Sequence, residues 1–395
     1  MVRNKAVVYA VAGLCFISLI LSCSSTPSNT QIGEHKTERY SINPEVTTAG
    51  LKCTRYSMDS ICSLSIPDDI VEIGIDKISV ANGRIYILDT YITKKLYAFD
   101  YEGNLETVIG ERGGSKGEFI GKPDDFFVDT GNKLHVFDKL GHKINIFNPD
   151  GSVDKVIEMS EFYPQSVGLT SNDRYMMYFT VGHKSESNVK DASSSLLLFD
   201  QEGKDYKSLM SSGEDFFCSI STHTFFQDCE RLSFIPCFSD SVIVFKNDTV
   251  EKVVLFDFGE KTLCKEMPEA IIQDESHSFM ENYQGVLGLN RYQETNSLIY
   301  LEYIYQNCGL CWLYDKRTGQ VVNGNNLFEG INPYTYYCLD GNQIVAYVDK
   351  KTVNNFKQYY HNKAFQDNLD KSPKQMRDIL EGKIKLPALL FITIK

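Results

Sequence analysis

The stretch DKISVANGRIYILDTYITKKLYAFDYEGNLETVIG (residues 76–110) is followed by a second stretch of the same design, DDFFVDTGNKLHVFDKLGHKINIFNPDGSVDKVIE (residues 124–158). Two glycines recur after 48 residues and one aspartate after 49 residues, as Gly83/Gly131, Gly103/Gly151 and Asp89/Asp138. Each copy contains four short apolar runs separated by Gly, Asn and Asp. The pattern therefore indicates one four-stranded unit that is repeated along the chain.

The apolar residues of each run alternate with polar ones, which is typical of strands whose two faces pack differently. Asn82-Gly83 is a tight hairpin signal, because both residues tolerate a positive φ. A single four-stranded sheet cannot bury both of its faces, but sheets that stack radially cover one another. About four to eight copies close such a ring, so the repeat predicts an all-β propeller.

Weaker copies of the unit continue to the C-terminus. A third begins near Ser166, a fourth covers Leu232–Phe258, a fifth covers Gly285–Val322 and a sixth begins with Thr335. The sequence therefore predicts a six-bladed β-propeller with four-stranded antiparallel blades. The repeat is least regular between residues 260 and 395.

The segments outside the repeats predict how the ring closes. Ser60–Ile66 alternates as a strand but has no place in the first blade, and Ala388–Ile394 is a strand without a partner of its own. We expect these two strands to pair and to remove the exposed sheet edges. Ser372–Gln375 reads as a capping box with Pro at the first helical position, before a helix that ends at Gly382, and Pro268–Ile272 reads as a short helical insertion.

The crossover between the two clear copies, GERGGSKGEFIGKPDD (residues 110–125), resembles the NHL repeat. The match depends on Gly113, Gly117, Glu118, Phe119 and Pro123. More broadly, the chain resembles the six-bladed propeller lipoproteins of Bacteroidetes-type envelopes, most of which have no assigned activity. A phosphate-binding loop is the weaker interpretation of these glycines, since it requires a following helix and a strand follows here.

The N-terminus has the pattern of a lipoprotein signal peptide over residues 1–23. Two basic residues precede the uncharged run Ala6–Leu21, which is short for a membrane span and typical of a signal sequence. Ile20-Leu21-Ser22-Cys23 resembles a bacterial lipobox, which implies that Cys23 is lipidated. An ordinary secretory signal is the alternative.

The remaining chain divides into two parts. Residues 24–50 are rich in Ser, Thr, Asn and charge at their start and predict a flexible tether, and residues 51–395 form the propeller. We therefore expect a protein of the bacterial cell envelope, attached to the membrane by its lipid alone and facing the periplasm or the cell surface.

Composition restricts the partners. A net charge of −12 and a pI near 5.2 argue against nucleic acid, whose phosphates require clustered Lys and Arg. We expect a monomer.

Of the eleven cysteines, nine remain when Cys15 and Cys23 are set aside. For Cys308-x-x-Cys311 we favour buried thiols over a local disulfide or a redox or metal site, because the motif lies in a predicted strand.

In NHL-like propellers one face consists of the crossovers between blades and the loops inside the second hairpin of each blade. The resemblance implies that these loops converge at the mouth of the central channel. The candidate ligand-binding residues are Tyr91, Arg112, Lys122, Asp124, His142, Tyr163 and His183. Each of them taken singly is more typical of an ordinary solvated loop residue.

Other polar residues of the repeat have structural interpretations. Because Asp89 and Asp138 occupy the same position in two blades, we expect them to accept hydrogen bonds from loop N–H groups. His135 lies within a strand and is expected to be a packed imidazole, whereas His142 and His183 lie in loops and are better candidates for acid–base or metal roles. No cofactor and no catalytic residue is predicted, and a divalent metal in the channel is the alternative.

The favoured hypothesis is a lipid-tethered binding module whose channel mouth holds a glycan, a peptide or an envelope protein. The alternative is a metal-dependent lyase or hydrolase of the NHL-like propeller type, and a structural envelope scaffold comes third. We find no catalytic motif of the serine-hydrolase, zinc-protease or calcium-loop kind, which favours binding over catalysis.

Overall fold

The repeated apolar runs form strands arranged as six sheets around one axis, five sheets with four strands and one with five. The computed structural model describes residues 35–395 except 68–69, 71, 160–161, 180–193, 203, 212–222, 229, 237–238, 262–281 and 333–334. The strands are β1 (Lys36–Ser41), β2 (Tyr56–Ser63), β3 (Lys77–Ala81), β4 (Arg84–Asp89), β5 (Lys95–Asp100), β6 (Leu105–Ile109), β7 (Asp125–Val128), β8 (Leu134–Asp138), β9 (Lys143–Phe147), β10 (Val153–Glu158), β11 (Ser166–Leu169), β12 (Tyr175–Tyr178), β13 (Ser194–Phe199), β14 (Tyr206–Ser211), β15 (Phe225–Gln227), β16 (Arg231–Phe234), β17 (Ser241–Lys246), β18 (Thr249–Asp257), β19 (Val286–Glu294), β20 (Leu298–Tyr305), β21 (Cys308–Asp315), β22 (Gln320–Gly324), β23 (Thr335–Asp340), β24 (Gln343–Val348) and β25 (Ala388–Ile394).

Each sheet is one antiparallel blade. Blade 1 contains β3–β6, blade 2 contains β7–β10, blade 3 contains β11–β14, blade 4 contains β15–β18, blade 5 contains β19–β22, and blade 6 contains β23, β24, β25 and β2. The first strand of each blade lies innermost, so that β3, β23, β19, β15, β11 and β7 contact one another in turn around the axis. The predicted six-bladed propeller is confirmed.

Burial along the strands reflects the radial stacking of the blades. In β4, Ile85, Tyr86, Ile87 and Leu88 are all buried, because neighbouring blades cover both faces of a middle strand. In the outer strand β6, partly buried and exposed positions alternate, and only the last residue is buried. Strict alternation therefore describes the rim of the ring, and continuous apolar runs describe its interior.

The ring closes in blade 6, where the N-terminal strand β2 lies antiparallel to the C-terminal strand β25. The pairing runs from Tyr56 opposite Ile394 to Ser63 opposite Ala388. The predicted closure is confirmed, with β2 beginning at Tyr56 instead of Ser60.

The recurring glycine between the third and fourth strands also serves the contact between blades. Gly103 and Gly151 have φ of +86° and +83°. A Cβ at Gly103 would collide with the carbonyl of Ser63 in blade 6, and one at Gly151 would collide with the side chain of Thr107 in blade 1. The turn thus requires both a left-handed backbone and a close approach to the preceding blade.

Three helices lie between β24 and β25, namely α1 (Lys350–Lys357), α2 (Lys363–Leu369) and α3 (Lys374–Leu380). The predicted helix corresponds to α3, but the predicted capping box is wrong. Pro373 is the N-cap residue and no side chain caps the helix, because the Ser372 hydroxyl instead accepts a hydrogen bond from the Ile331 N–H at 2.8 Å. α1 and α2 were not predicted, and the predicted helical insertion at 268–272 lies outside the described residues.

The predicted tether over residues 24–50 is wrong from Lys36 onward. Lys36–Ser41 forms β1, which pairs in parallel with the outer strand β18 of blade 4. The chain then follows blade 5, where the Thr48 N–H donates to the Asn323 carbonyl at 2.8 Å, and reaches blade 6 as β2. We call residues 36–51 the N-terminal strap, because they bind the outer edges of consecutive blades.

A buried ion cluster attaches the strap to the ring. The Lys252 ammonium contacts a Glu38 oxygen at 2.9 Å and a Glu294 oxygen at 2.7 Å, so that it joins β1 to blades 4 and 5. Tyr292 donates to Glu294 at 2.6 Å, and Lys316 also contacts this carboxylate. Burial would raise the pKa of Glu38, but Lys36 and Lys252 outweigh it and lower the pKa to about 2.

We expect Glu38→Gln to lower the free energy of unfolding at pH 7 by about 1–3 kcal/mol, since Lys252 loses a charged partner. Because the folded pKa lies below the unfolded value of 4.5, this contribution is complete above pH 4.5 and is lost as the pH falls towards 2. The difference in free energy of unfolding between wild type and variant, measured by urea denaturation, should therefore become smaller as the pH falls from 4.5 towards 2. Glu158→Gln, on an exposed strand position, is the control. A gap of equal size at pH 7 and pH 2.5 would contradict the assignment.

Candidate functional site

The chain crosses between blades on one face of the ring, which we call the crossover face. A cavity of about 700 Å³ lies there between blades 1 and 2 and the entry to blade 3. We call it the crossover pocket. Its lining residues are Thr93, Lys94, Lys95, Gly110, Glu111, Arg112, Gly121, Lys122, Asp124, Lys139, Leu140, His142, Tyr163 and Pro164.

Most of the residues predicted from sequence meet in this pocket. Arg112, Lys122, Asp124, His142 and Tyr163 all line it. The exposed ring of Tyr91 lies at the rim, with its centre 5.6 Å from the Lys122 Nζ atom. His183 lies outside the described residues.

The loop between β4 and β5 is held by one buried carboxylate. Asp89 is fully buried and accepts hydrogen bonds from the N–H groups of Gly74, Tyr91, Ile92 and Thr93 at 2.8–3.0 Å. The Thr93 hydroxyl donates to the same side chain at 2.7 Å. The structural role predicted for Asp89 is confirmed.

Asp138 has the same role in blade 2. It is fully buried and accepts from the N–H of Gly141 at 2.8 Å and from that of Ile120 at 2.9 Å. One carboxylate thus fastens the second-hairpin loop to the preceding crossover. Asp124 adds a bond from the Lys139 N–H at 2.8 Å. The pocket walls are thus held by backbone hydrogen bonds to Asp89 and Asp138, which are fully buried, and to Asp124, which itself lines the pocket.

The pocket is cationic. Five Lys or Arg residues line it, against the two carboxylates of Glu111 and Asp124. Lys95 lies 3.2 Å from Glu111, and Lys122 lies 3.9 Å from Asp124. Arg112 is exposed, and no ion-pair partner contacts it among the described residues. The charge of the pocket is thus opposite to the net charge of −12 of the whole chain.

Two groups at the base of the pocket have altered acidities. Burial raises the pKa of Asp124 and lowers the pKa of Lys139. The Lys139 ammonium donates to the Gln165 side-chain oxygen at 2.9 Å. Burial and perturbed pKa values together are typical of functional sites.

His142 packs against Tyr163 edge to face, with ring centres 4.3 Å apart. It has a φ of +49°, and Lys94, 48 residues earlier in the equivalent loop, has a φ of +56°. The sequence analysis missed Lys94 as a pocket residue, although the repeat offset that relates it to His142 could have identified it. His135, by contrast, is satisfied by the Tyr175 hydroxyl at 2.7 Å and by Asp129 at 3.1 Å, as predicted.

The crossover pocket lies between blades 1 and 2 and shares no lining residue with the cavity of the central channel. That these residues bind a ligand at the channel mouth stays a prediction. The channel forms its own cavity of about 540 Å³ between the inner strands. At its crossover end Asp125 contacts Lys77 at 2.7 Å and His223 at 3.2 Å. Burial would raise the pKa of Asp125, but Lys77 and His223 outweigh it and lower the pKa. This cluster links the inner strands of blades 1, 2 and 4.

The cysteine motif of blade 5 contains free thiols. Cys311 is buried, donates to the Gly324 carbonyl at 3.1 Å, and has a pKa raised by burial to about 12. Cys308 is exposed, so burial was predicted correctly for only one of the pair, and no disulfide joins the two thiols.

Within the described residues no group of three or more His, Cys, Asp or Glu side chains could hold a metal ion. No helix in the same part of the chain is long and apolar enough to span a membrane.

A family model described as Domain of unknown function (DUF4934) matches residues 69–382. No curated protein sequence is significantly similar to the chain. A solved structure from Bacteroides fragilis NCTC 9343, described as an exported protein, superimposes with a TM-score of 0.70 at 15% identity. The alignment covers 91% of this chain and 100% of that one, which shows a common fold.

Two further structures are less similar. A member of the DUF4221 family from Bacteroides vulgatus has a TM-score of 0.45 at 9% identity, and covers 86% of this chain and 97% of its own. Virginiamycin B lyase from Staphylococcus aureus has a TM-score of 0.41 at 9% identity, and covers 86% and 100% respectively.

The two buried carboxylates give a matched pair of variants. We expect Asp89→Ala to speed amide exchange at Gly74 and Tyr91–Thr93 at least about tenfold, because each N–H loses a bond worth about 1–3 kcal/mol. Exchange at Ile120 should stay unchanged. Asp138→Ala should do the reverse, releasing Ile120 and Gly141 alone. If either variant changed amide exchange equally in both loops, each carboxylate would not hold its own loop separately.

Proposed function

This chain belongs to the DUF4934 family of domains of unknown function, and we propose that it is an exported propeller that binds a glycan, a peptide or a partner protein in the crossover pocket. One observation carries this proposal. Cationic side chains are concentrated around one concave site in an acidic protein, although random placement of charge would make such a surface negative. Function on a propeller is expected in loops that a rigid scaffold positions.

The form of the site supports binding. A cavity of about 700 Å³ falls within the range of ligand pockets. Tyr91 and Tyr163 supply rigid aromatic surface at its edge, and the cations of Arg112 and Lys122 supply strong hydrogen-bond donors. The NHL-like spacing of the crossover before blade 2 is consistent with this use of the loops.

The alternatives have less support. A metal-dependent lyase or hydrolase needs a set of metal ligands, and no observation on the described residues favours one. A pure scaffold would not need a preformed cationic pocket. We therefore retain binding, by a monomer, as the proposed function.

We also propose that the protein is anchored in the bacterial envelope through a lipid on Cys23. The lipobox-like residues before Cys23 support this, and so does the fold shared with an exported protein of Bacteroides. The strap begins at Lys36, so a segment of only twelve residues, 24–35, separates the anchor from blade 4. A short linker of this kind would hold the propeller close to the membrane.

The anchor can be tested by expressing the full chain in a bacterium supplied with radiolabelled palmitate. Wild type and Cys15→Ala should take up label and fractionate with membranes, whereas Cys23→Ala should do neither. Label on the Cys23→Ala chain would disprove lipidation at this residue, and unlabelled wild type would favour an ordinary secretory signal.

The pocket can be tested by probing glycan and peptide arrays with the full chain and measuring the affinity of each hit by calorimetry. Because a charge-assisted hydrogen bond is worth about 1.5–3 kcal/mol, Arg112→Ala and Lys122→Ala should each weaken binding roughly 10- to 100-fold. Lys155→Ala, which removes an exposed cation on the outer strand of blade 2, should have no effect. Hits that bind all of these variants equally would place the ligand elsewhere, and the absence of hits would reject the binding proposal.

A further inference from the structure

Exposed apolar side chains are concentrated at the crossover pocket. Nine large apolar residues of the described chain are exposed. Four of them lie in the loops of blades 1 and 2 that surround the pocket, namely Tyr91, Ile92, Ile120 and Leu140. Leu140 is the most exposed of all nine, at 63%. A concentration of exposed apolar side chains is typical of a docking site.

Three of these residues lie at the opening of the pocket. Leu140 lines the pocket itself, and a Cβ at Gly121 would lie 3.3 Å from the Leu140 side chain. Ile120 precedes Gly121 in the chain, and the Tyr91 ring lies beside the Lys122 ammonium. Ile92 instead lies against the crossover before blade 1, since a Cβ at Gly74 would lie 3.2 Å from its side chain. Apolar side chains and cations therefore lie next to one another at this opening.

The rim is also held in place before any ligand arrives. The N–H groups of Tyr91 and Ile92 are bound to Asp89, and that of Ile120 is bound to Asp138. Little loop entropy remains to be lost on binding, so exposed apolar surface here can contribute to affinity almost in full. Two buried aspartates thus keep branched aliphatic side chains directed to solvent.

We propose that the ligand of the crossover pocket is an acidic, apolar peptide segment of a partner protein. Its Asp or Glu carboxylates would bind at Arg112 and Lys122, and its apolar side chains would cover Tyr91, Ile120 and Leu140. This inference rests on the proposed function, since it names the ligand class of the same pocket. It selects the peptide from the three classes considered there.

Two physical arguments favour a peptide over a glycan. The rim is largely aliphatic, and the hydroxyl groups of a sugar pressed against Ile and Leu would lose water without gaining hydrogen bonds. A peptide can place an apolar side chain next to a carboxylate, which matches the apolar side chains that lie beside cations at this opening. The cations then provide charge complementarity and make association dependent on salt.

The test uses fluorescence anisotropy with the full chain and labelled twelve-residue peptides of three designs. One alternates Glu with Leu, one alternates Glu with Ser, and one alternates Lys with Leu. Trigalacturonate serves as an acidic oligosaccharide probe. We expect the Glu/Leu peptide to bind at least tenfold more tightly than the other two, to weaken as salt rises, and to resist displacement by trigalacturonate.

Variants separate the apolar contribution from the charged one. Leu140→Ser should weaken binding of the Glu/Leu peptide about 5- to 20-fold, and Lys122→Glu should weaken it at least tenfold. Val321→Ser, at an exposed apolar position of blade 5, and Lys155→Glu are the matched controls and should leave binding unchanged. Leu140 is exposed and Lys122 is partly exposed, and circular dichroism will be used to check that the variants remain folded.

The outcomes distinguish this inference from the proposal on which it rests. If the Glu/Ser and Glu/Leu peptides bind equally, or if Leu140→Ser binds as wild type does, the apolar side chains of the peptide do not contribute to binding and that half of the inference is wrong. If trigalacturonate binds tightly and Lys122→Glu abolishes this binding, the ligand is not a peptide, whereas the proposed binding function stands. If no probe binds, the inference is rejected, and the array experiment decides the broader proposal independently.

Discussion

The pairing of β2 with β25 is the interaction on which the rest of the structure depends. It supplies the outermost strand of blade 6 from the N-terminal end of the domain, so that the last blade is complete only when both ends of the chain are folded. Blade 1 then packs on this strand, where the Gly103 turn meets the Ser63 backbone and the Ser65 N–H donates to the Gly103 carbonyl at 2.8 Å. Closure gives blade 6 its fourth strand, and the repeated turn between the third and fourth strands contacts the outer strand of the preceding blade both at blade 6 and at blade 1.

The strap extends this principle to the outside of the ring. After β1 joins blade 4, the chain bonds to blade 5 and then enters blade 6, so one segment connects three consecutive blades. The cluster of Glu38, Lys252 and Glu294 lies where strap, blade 4 and blade 5 meet. A buried ammonium is costly unless it is paired, and here two carboxylates share it. The cluster therefore specifies where the strap docks, which a purely apolar contact would specify less sharply.

The crossover pocket shows how a repetitive scaffold produces a unique site. Asp89 and Asp138 do the same structural work in blades 1 and 2, and they hold loops that differ in almost every other side chain. The repeated aspartate thus makes each loop rigid, and the side chains that differ between the loops give the pocket its functional groups. Lys94 in one loop occupies the position of His142 in the other. The ligand class inferred for the pocket follows from these differences together, because Tyr91, Ile120 and Leu140 come from three different segments of the chain.

The sequence by itself determined the blades, the closing pair of strands and the roles of Asp89, Asp138 and His135, because each depends on local periodicity, on turn chemistry or on a position that the chain repeats. It also identified Arg112, Lys122, Asp124, His142 and Tyr163, which occupy crossovers and loops that the repeat locates. Only the tertiary structure decided that Lys36–Ser41 is a strand, since its alternation of charged residues has no apolar face and its partner, β18, lies more than two hundred residues away. Only the tertiary structure likewise decided that the candidate residues line a cavity between blades 1 and 2, with exposed apolar side chains beside it. The lining side chains come from separate loops whose spacing is set by the packing of blade on blade, and no local pattern in the chain records that distance.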